Sequence, residues 1–373
     1  MTLLMTDFDP GMFADSYRSG RSRFIDACDR LSGPAVIERQ SFPHPLPGPD
    51  GQELFSDVVF AATRPDPDAV LVVMSATHGV EGFAGSAVQA DLLALLPTLL
   101  AQQPGLGVIL IHAVNPWGFA WLRRCDHQGI DVNRNCIDFA SVPGSSSDFD
   151  ALYHTVSALD WRDPNAIQAL WQNQSINDFV ELFAHGHYLG DQCPFFGGHA
   201  PGWSRQLLET VASHSWIGKA RNIAVVDVHT GLGPYGYGEL INDHVPGTAG
   251  FDLACNWYGA NATSALKGES CSGVKSGLVD YLWHDVMGDR GSFVTLEFGT
   301  YPVTDLLTSL LQEQAYYNDC ARNGQARSLD HEAVQALRKF FYPEERSWQQ
   351  QLLFRGRQVV DLAVAGMTQD SRS

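Results

Sequence analysis

Residues 75–82 read SATHGVEG, a hydrophobic run giving way to a glycine-containing turn that presents His78 and, three positions later, Glu81. An imidazole and a carboxylate so spaced at a strand's end can reach one metal ion from the same side. Zinc takes imidazole nitrogen and carboxylate oxygen at about 2.0–2.2 Å and, in catalytic sites, keeps a fourth position for water. An HxxE pair also arises by chance in solvated loops. Residues 223–230, IAVVDVHT, close a second apolar run with His229, followed by Gly231 and Gly233. His229 would complete a set of two histidines and one carboxylate; taken alone it reads more readily as a hydrogen-bonded structural histidine. Asp227 alternates with His229 along the run, so it either orients an imidazole or is a solubilising charge at a strand end.

Two further segments hold acid–base and anion-binding groups. In 292–300, SFVTLEFGT, Glu297 stands late in an apolar run. A buried carboxylate without a partner is costly, so it faces a cation or an open cleft. Beside a metal-activated water it could serve as general base and then return the proton to a departing amine. A structural pairing with Arg or Lys would place it equally well. In 115–135, NPWGFAWLRRCDHQGIDVNRN, Arg123, Arg124 and Arg134 lie close together, and Asn133 and Asn135 flank Arg134. Guanidinium groups bind carboxylates bidentately, and one near a metal could stabilise a developing oxyanion. In an acidic protein, surface arginines paired with acidic neighbours give the same cluster.

These groups need a scaffold. Residues 54–62, 69–75, 107–114, 223–228 and 292–298 are rich in Val or Ile and bounded by turn formers, which predicts strands. Residues 83–100 predict a helix, 149–216 a mostly helical middle broken by FFGGHAPGW, and 303–323, 331–341 and 347–365 amphipathic helices. The glycine-rich stretch before 292 has no clear assignment. Strands alternating with helices predict an α/β fold, a mainly parallel sheet with helices on both faces. Ligands in such sheets sit beyond the carboxyl ends of the strands, where His78 and His229 fall. The expected organisation is one domain over 1–373. Its catalytic core spans about 50–325, with a helical insertion at about 149–216 and C-terminal helices at about 326–368.

Composition narrows the class. The 373 residues are 45% hydrophobic and 18% charged, ordinary for a globular chain. A formal charge of -18 repels nucleic acid and anionic membrane surfaces, so neither is an expected partner. Cys28, Cys125, Cys136, Cys193, Cys255, Cys271 and Cys320 are scattered without a CxxC pair, which fits a reducing compartment. Asp7 and Asp9 stand where a signal peptide would be apolar, and the longest apolar run, 90–100, contains Asp91 and Pro97. A cytoplasmic protein is expected.

Together, HGVEG, NPWGFAWLRR, GIDVNRN, VDVHTG and TLEFGT, in that order over roughly 70–300, resemble the zinc carboxypeptidases and their aspartoacylase and succinylglutamate-desuccinylase relatives. FFGGHAPGWSR and FYPEERSWQQQ are similar to a bacterial carboxypeptidase-like branch of unassigned substrate. The resemblance implies one zinc ion on His78, Glu81 and His229, with Glu297 activating water. It implies Asn133 and Arg134 as anchors for a substrate carboxylate. Arg124, or its neighbour Arg123, would polarise the scissile carbonyl. It further implies a mixed, mostly parallel eight-stranded sheet. The activity implied is amide hydrolysis, as a carboxypeptidase or an N-acyl amino-acid deacylase, on a small molecule or short peptide bearing a carboxylate. The long gap between Glu81 and His229 departs from a compact carboxypeptidase and could cap the cleft. No tyrosine among Tyr235, Tyr237, Tyr258 and Tyr281 matches the mobile tyrosine of digestive carboxypeptidases. The competing classes are a non-catalytic metal- or ligand-binding protein and a serine hydrolase. The second lacks a G-x-S-x-G elbow, and Ser86 falls inside a predicted helix.

Overall fold

The apolar runs become the centre of one sheet. The computed structural model describes residues 7–369 apart from 32–35, 143, 161, 164, 174 and 184, and those positions within the predicted helical middle lie outside the description. Eight strands form the sheet: β1 (Val36–Pro43), β2 (Phe55–Ala62), β3 (Ala69–Met74), β4 (Leu106–His112), β5 (Asn222–Gly231), β6 (Gly238–Ile241), β7 (Ala262–Thr263) and β8 (Gly291–Gly299). Their order is β1-β2-β4-β3-β5-β8-β6-β7. The four central strands, β4, β3, β5 and β8, run parallel, while β1, β2 and β6 pair antiparallel to their inner neighbours. The fold is thus a mixed, mostly parallel α/β sheet.

Thirteen α-helices are described: α1 (Tyr17–Asp29), α2 (Gly82–Gln102), α3 (Pro116–Trp121), α4 (Ser147–Ser157), α5 (Ala166–Asn173), α6 (Ile176–Phe183), α7 (Trp203–Ala212), α8 (Ser215–Lys219), α9 (Ala249–Tyr258), α10 (Val279–Met287), α11 (Val303–Asn323), α12 (Glu332–Phe341) and α13 (Arg346–Gln369). Strand side chains alternate between faces, and both faces are apolar. Leu71, Val73, Val108, Leu110, Val226 and Val228 pack with α1, α2, α9 and α13, whereas Val70, Val72, Ile109, Ile111 and Val225 pack with α7, α8 and α10. A third cluster joins α4–α6 to α11 and α12, so the helical middle packs on the C-terminal helices.

Three strands were not expected. β1 is a polar edge strand, VIERQSFP, and β6 and β7 are too short to show a period. The unassigned stretch resolves into α9, α10 and connecting loops. The segment Gly79–Gln102 is long and apolar enough to cross a membrane, although a count of uninterrupted apolar residues stops short of that length; 78% of its apolar window is buried inside the fold. Gln89, at its centre, donates to the carbonyls of Val73 and Ile111, fixing the helix to β3 and β4.

The chain leaves β3 through α2 to β4 on one side, and β5 returns on the other. That reversal opens a crevice at the strands' carboxyl ends. β3, β5 and β8 are adjacent there, with His229 directly paired to Glu297.

Candidate metal centre and cavity

Beyond β3 the backbone turns at Ala76, which takes a left-handed φ of 57°, and His78 opens the short 3-10 turn Gly79–Glu81. Gly79 is required by packing: a Cβ there would lie 2.0 Å from the carbonyl carbon of Gly118 on α3. The Gly79 and Val80 amides donate to the carbonyls of Arg124 and Arg123 at 3.2 and 2.8 Å. Turn and arginine loop are thereby fixed to each other.

The donors converge. Ligand atoms of His78, Glu81 and His229 lie within 4.8 Å of one another, and all three residues are buried. His78 Nδ1 is 2.8 Å from Glu81 Oε1, and His229 Nδ1 is 3.1 Å from Glu81 Oε2. The two Nδ1 atoms face each other at 3.1 Å. Each Nε2 is engaged by a carboxylate, His78 with Asp131 Oδ1 at 3.1 Å and His229 with Asp227 Oδ2 at 2.8 Å. Those carboxylates fix both rings with Nδ1 turned inward toward Glu81, the orientation in which each Nδ1 can ligate once a cation displaces its proton. Two ring nitrogens and a carboxylate thus aim at one point, as the ligands of a single cation do.

The charge balance agrees. Glu81, Asp131 and Asp227 are buried carboxylates, and the guanidinium within reach is Arg124, at 3.0 Å from Asp131 and 3.3 Å from Glu81. Carboxylates outnumber the guanidinium in contact with them, so the cluster favours a cation among its donors. Tetrahedral ligands at about 2.0–2.2 Å from zinc stand roughly 3.3–3.6 Å apart, a spacing that small side-chain rotations reach from the observed one. The residues therefore fit zinc.

Titration behaviour has the same origin. Burial opposes ionisation of Glu81, but His78 and His229 hold its carboxyl well below the usual range. Burial likewise opposes charge on Asp131, and Arg124 and His78 override it. For His229 burial disfavours the proton, yet Asp227 and Glu81 raise its pKa well above that of a free imidazole. The pocket is built for positive charge. Asp227 also accepts from Thr77 Oγ1 at 2.8 and 2.9 Å, so it is an orienting partner rather than a solubilising charge.

One cavity is lined by His78, Glu81 and His229 together with Arg124, Asn133, Arg134 and Glu297. Glu297 accepts from the Leu232 amide at 2.9 Å, and burial followed by nearby Glu81 raises its pKa. Asn133 spends its side-chain oxygen on the Val279 amide at 2.8 Å, capping the start of α10. Arg134 is fully buried with Phe195 below its guanidinium, at 5.8 Å. Arg123 is not among the lining residues. It points to α11, with Nε 3.1 Å from Glu313, Nη2 3.1 Å from Gln314 and its guanidinium 3.5 Å over Tyr317. Of the adjacent pair, Arg124 alone lines the cavity, with Asp131 and Glu81 as its partners.

Val180 of α6 and Phe195 of the helical middle line the cavity, so the extra length does contribute a wall. None of the four tyrosines lines it; Tyr235 and Tyr281 donate to Glu345 and the Lys275 carbonyl, and Tyr258 is buried. Ser86 meets His112 Nε2 at 2.9 Å, but both are sealed in the core and neither lines the cavity. Sequence reasoning passed over Asp131, whose alternation with Asn133 in DVNRN was the available signal. It also passed over Asp243 and Lys275, both lining the cavity. Lys275, one of four lysines in the chain, sits in a glycine-rich loop with no periodicity to flag it.

The family described as "Protein of unknown function (DUF2817)" matches residues 13–355. No protein of curated function matches the chain. Among solved structures the chain is similar to carboxypeptidase A from Helicoverpa armigera, at 13% identity over 97% of this chain and 77% of that one, with a TM-score of 0.47. It is similar to an aspartoacylase family protein from Mesorhizobium loti, at 15% identity, 78% and 68% coverage and a TM-score of 0.38. It is also similar to succinylglutamate desuccinylase from Chromobacterium violaceum, at 15% identity, 83% and 76% coverage and a TM-score of 0.36. Likeness at this level carries nothing about activity.

Proposed function

We propose that this chain, which belongs to the DUF2817 family matched over residues 13–355, is a zinc-dependent hydrolase that cleaves an amide bond in a small substrate bearing a carboxylate. The observation that carries the reading is the pair of inward-facing Nδ1 atoms, 3.1 Å apart, beside Glu81 in a cavity that Glu297 also lines. The motif resemblance to zinc carboxypeptidases and deacylases supports the same reaction class.

His78, Glu81 and His229 would hold the ion, and Asp131 and Asp227 fix the two rings. When bound, zinc supplies Lewis acidity that polarises a carbonyl and makes water a stronger acid. Glu297, its carboxylate kept basic by burial, takes a proton from the attacking water and passes it to the departing amine nitrogen. Arg124 keeps free N–H donors beyond those given to Asp131 and Glu81, and these can meet the carbonyl oxygen as charge develops. Asn133 and Arg134 orient the substrate through its carboxylate, which makes the attack effectively intramolecular. Val180, Phe195 and the walls from α11 and α12 limit access of bulk water and large chains.

The test is metal analysis of purified protein with a panel of N-acyl amino acids and short peptides. Wild type should hold about one zinc and hydrolyse members of the panel. His78→Ala should lose the metal, and Glu297→Gln should keep it while losing roughly 10²–10⁴-fold in rate. A metal-loaded wild type inert on both substrate classes would leave a binding protein in place of an enzyme. Undiminished turnover by Glu297→Gln would remove that residue from the mechanism.

A further inference from the structure

The mechanism leaves two charged groups of the cavity unused, Lys275 and Asp243. Lys275 lies in the loop between β7 and α10 and lines the cavity with the metal-site residues. Its ammonium donates to Ser272 Oγ and, among the described residues, makes no ion pair. The loop is held in place from two sides. Gly277 has a φ of +69°, and a Cβ there would lie 2.3 Å from the Arg134 carbonyl oxygen. Its own carbonyl accepts from the Cys136 amide at 3.0 Å. On the other side the Ser276 amide donates to the His185 carbonyl at 3.0 Å, and Ser276 Oγ meets His185 Nε2 at 2.6 Å. Lys275 is thus held beside the Arg134 loop rather than swinging in solvent.

Charge around it is uneven. Burial and then Arg134 lower the pKa of Lys275, and Asp243 and Glu297 only partly offset them. Arg134 and Lys275 both line the cavity, and the carboxylates of Asp243 and Glu297 line it with them. Lys275, which makes no ion pair among the described residues, is the cation a guest carboxylate would meet there. Another part of the wall is apolar. Val303, Leu306, Leu307 and Leu310 fall at i, i+3, i+4 and i+7 of α11 and form a single stripe facing the cavity, joined by Val180. That stripe presents nothing to a second anion or to an ammonium.

We propose that Lys275 is a specificity-determining residue that binds, with Arg134, the single carboxylate of the substrate, whose apolar group lies against the α11 stripe. The substrate class is then N-acyl or peptidyl derivatives of aliphatic amino acids rather than of acidic or basic ones. The proposal rests on the hydrolase reading above and deepens it.

The experiment compares the zinc-loaded wild type with Lys275→Met and Lys275→Arg, Lys275→Gln serving where the Met variant does not fold. Substrates are N-acetylleucine and a blocked dipeptide ending in leucine, each beside its carboxamide, with N-acetylaspartate and Nα-acetyllysine as charged controls. Loss of one charge-assisted contact should raise KM for the leucine acids about 10–100-fold with kcat little changed. Arginine should restore most of it, and the carboxamides should lose nothing further. An equal loss on acid and carboxamide, or a loss confined to kcat, overturns the anchor. Preference for N-acetylaspartate or Nα-acetyllysine overturns the substrate class. If the wild type turns over none of these, the hydrolase reading is what fails. Calorimetric binding of N-acetylleucine then decides the anchor by itself: weaker binding by Lys275→Met sustains it, and equal affinity in the two proteins refutes it.

Discussion

Replacing Asp227 with Asn probes the proposed metal centre without emptying it. The Asp227 carboxylate receives His229 Nε2–H at 2.8 Å and the Thr77 hydroxyl at 2.8 and 2.9 Å, and it is 1% exposed. Asparagine has the same shape, and its side-chain oxygen can still accept from Nε2, so the ring keeps its orientation. What disappears is a negative charge in contact with the imidazole, which lowers the basicity of the inward Nδ1. Loss of such an outer partner costs about 10–100-fold in metal affinity, or about 1.4–2.8 kcal/mol. Zinc affinity measured by chelator competition should fall by that factor while stoichiometry stays at one. With metal in excess, the stabilisation that zinc confers should shrink by a similar free energy, seen as a melting point a few degrees below zinc-loaded wild type. The chelator-treated proteins should lack that gap. Asp227→Ala should weaken binding further, because the ring loses its anchor as well. Affinity unchanged in Asp227→Asn, with His78→Ala metal-free, would show that Asp227 only packs. Full stoichiometry in His78→Ala would refute the centre itself.

The adjacent arginines should separate cleanly. Arg123→Met leaves buried Glu313 with Arg327 as its remaining ion-pair partner among the described residues and should cost about 3–5 kcal/mol of stability, read by denaturant unfolding, with kcat/KM per folded molecule retained. Arg124→Met should cost activity out of proportion to stability; the reverse pattern would show the two roles exchanged. Gly79→Ala should displace the Gly79–Glu81 turn from α3, lowering both the melting point and zinc content, and normal zinc binding would contradict the 2.0 Å approach. Chelator-treated protein should lose stability in acid. Burial lowers His112, His187 and His244 to about 4 and His284 to about 3. The folded pKa values lie below the unfolded value near 6.5, so the unfolded chain binds protons first. Stability from these groups is present above about pH 6.5 and drains away as pH falls toward 4. Fully buried His112 alone accounts for roughly 3 kcal/mol across that window. A melting temperature flat between pH 6.5 and 4.5 would refute this.

The sequence by itself determined the central strands, the long helices and the identity of the residues that converge on the candidate metal centre. Runs such as AVLVVM and IAVVDV cannot be stable unless covered on both faces, so they declare buried parallel strands. The periodicity of 303–323 coincides with α11 because a helix face longer than a few turns leaves an unmistakable pattern. HGVEG, VDVHTG and TLEFGT marked His78, Glu81, His229 and Glu297 because each polar residue interrupts an apolar run at its end. Tertiary structure decided the rest. Whether Arg123 or Arg124 meets Glu81 depends on which way a reversing loop turns, and neighbouring identical residues carry no record of that. The orientations of both imidazoles follow from Asp131 and Asp227, the first of them 53 residues from His78. β6 and β7 exist only because β8 and each other supply their hydrogen bonds. Lys275 reaches the cavity because Gly277 presses its loop onto the Arg134 backbone. Such contacts are between surfaces, and a linear chain specifies surfaces only after it has folded.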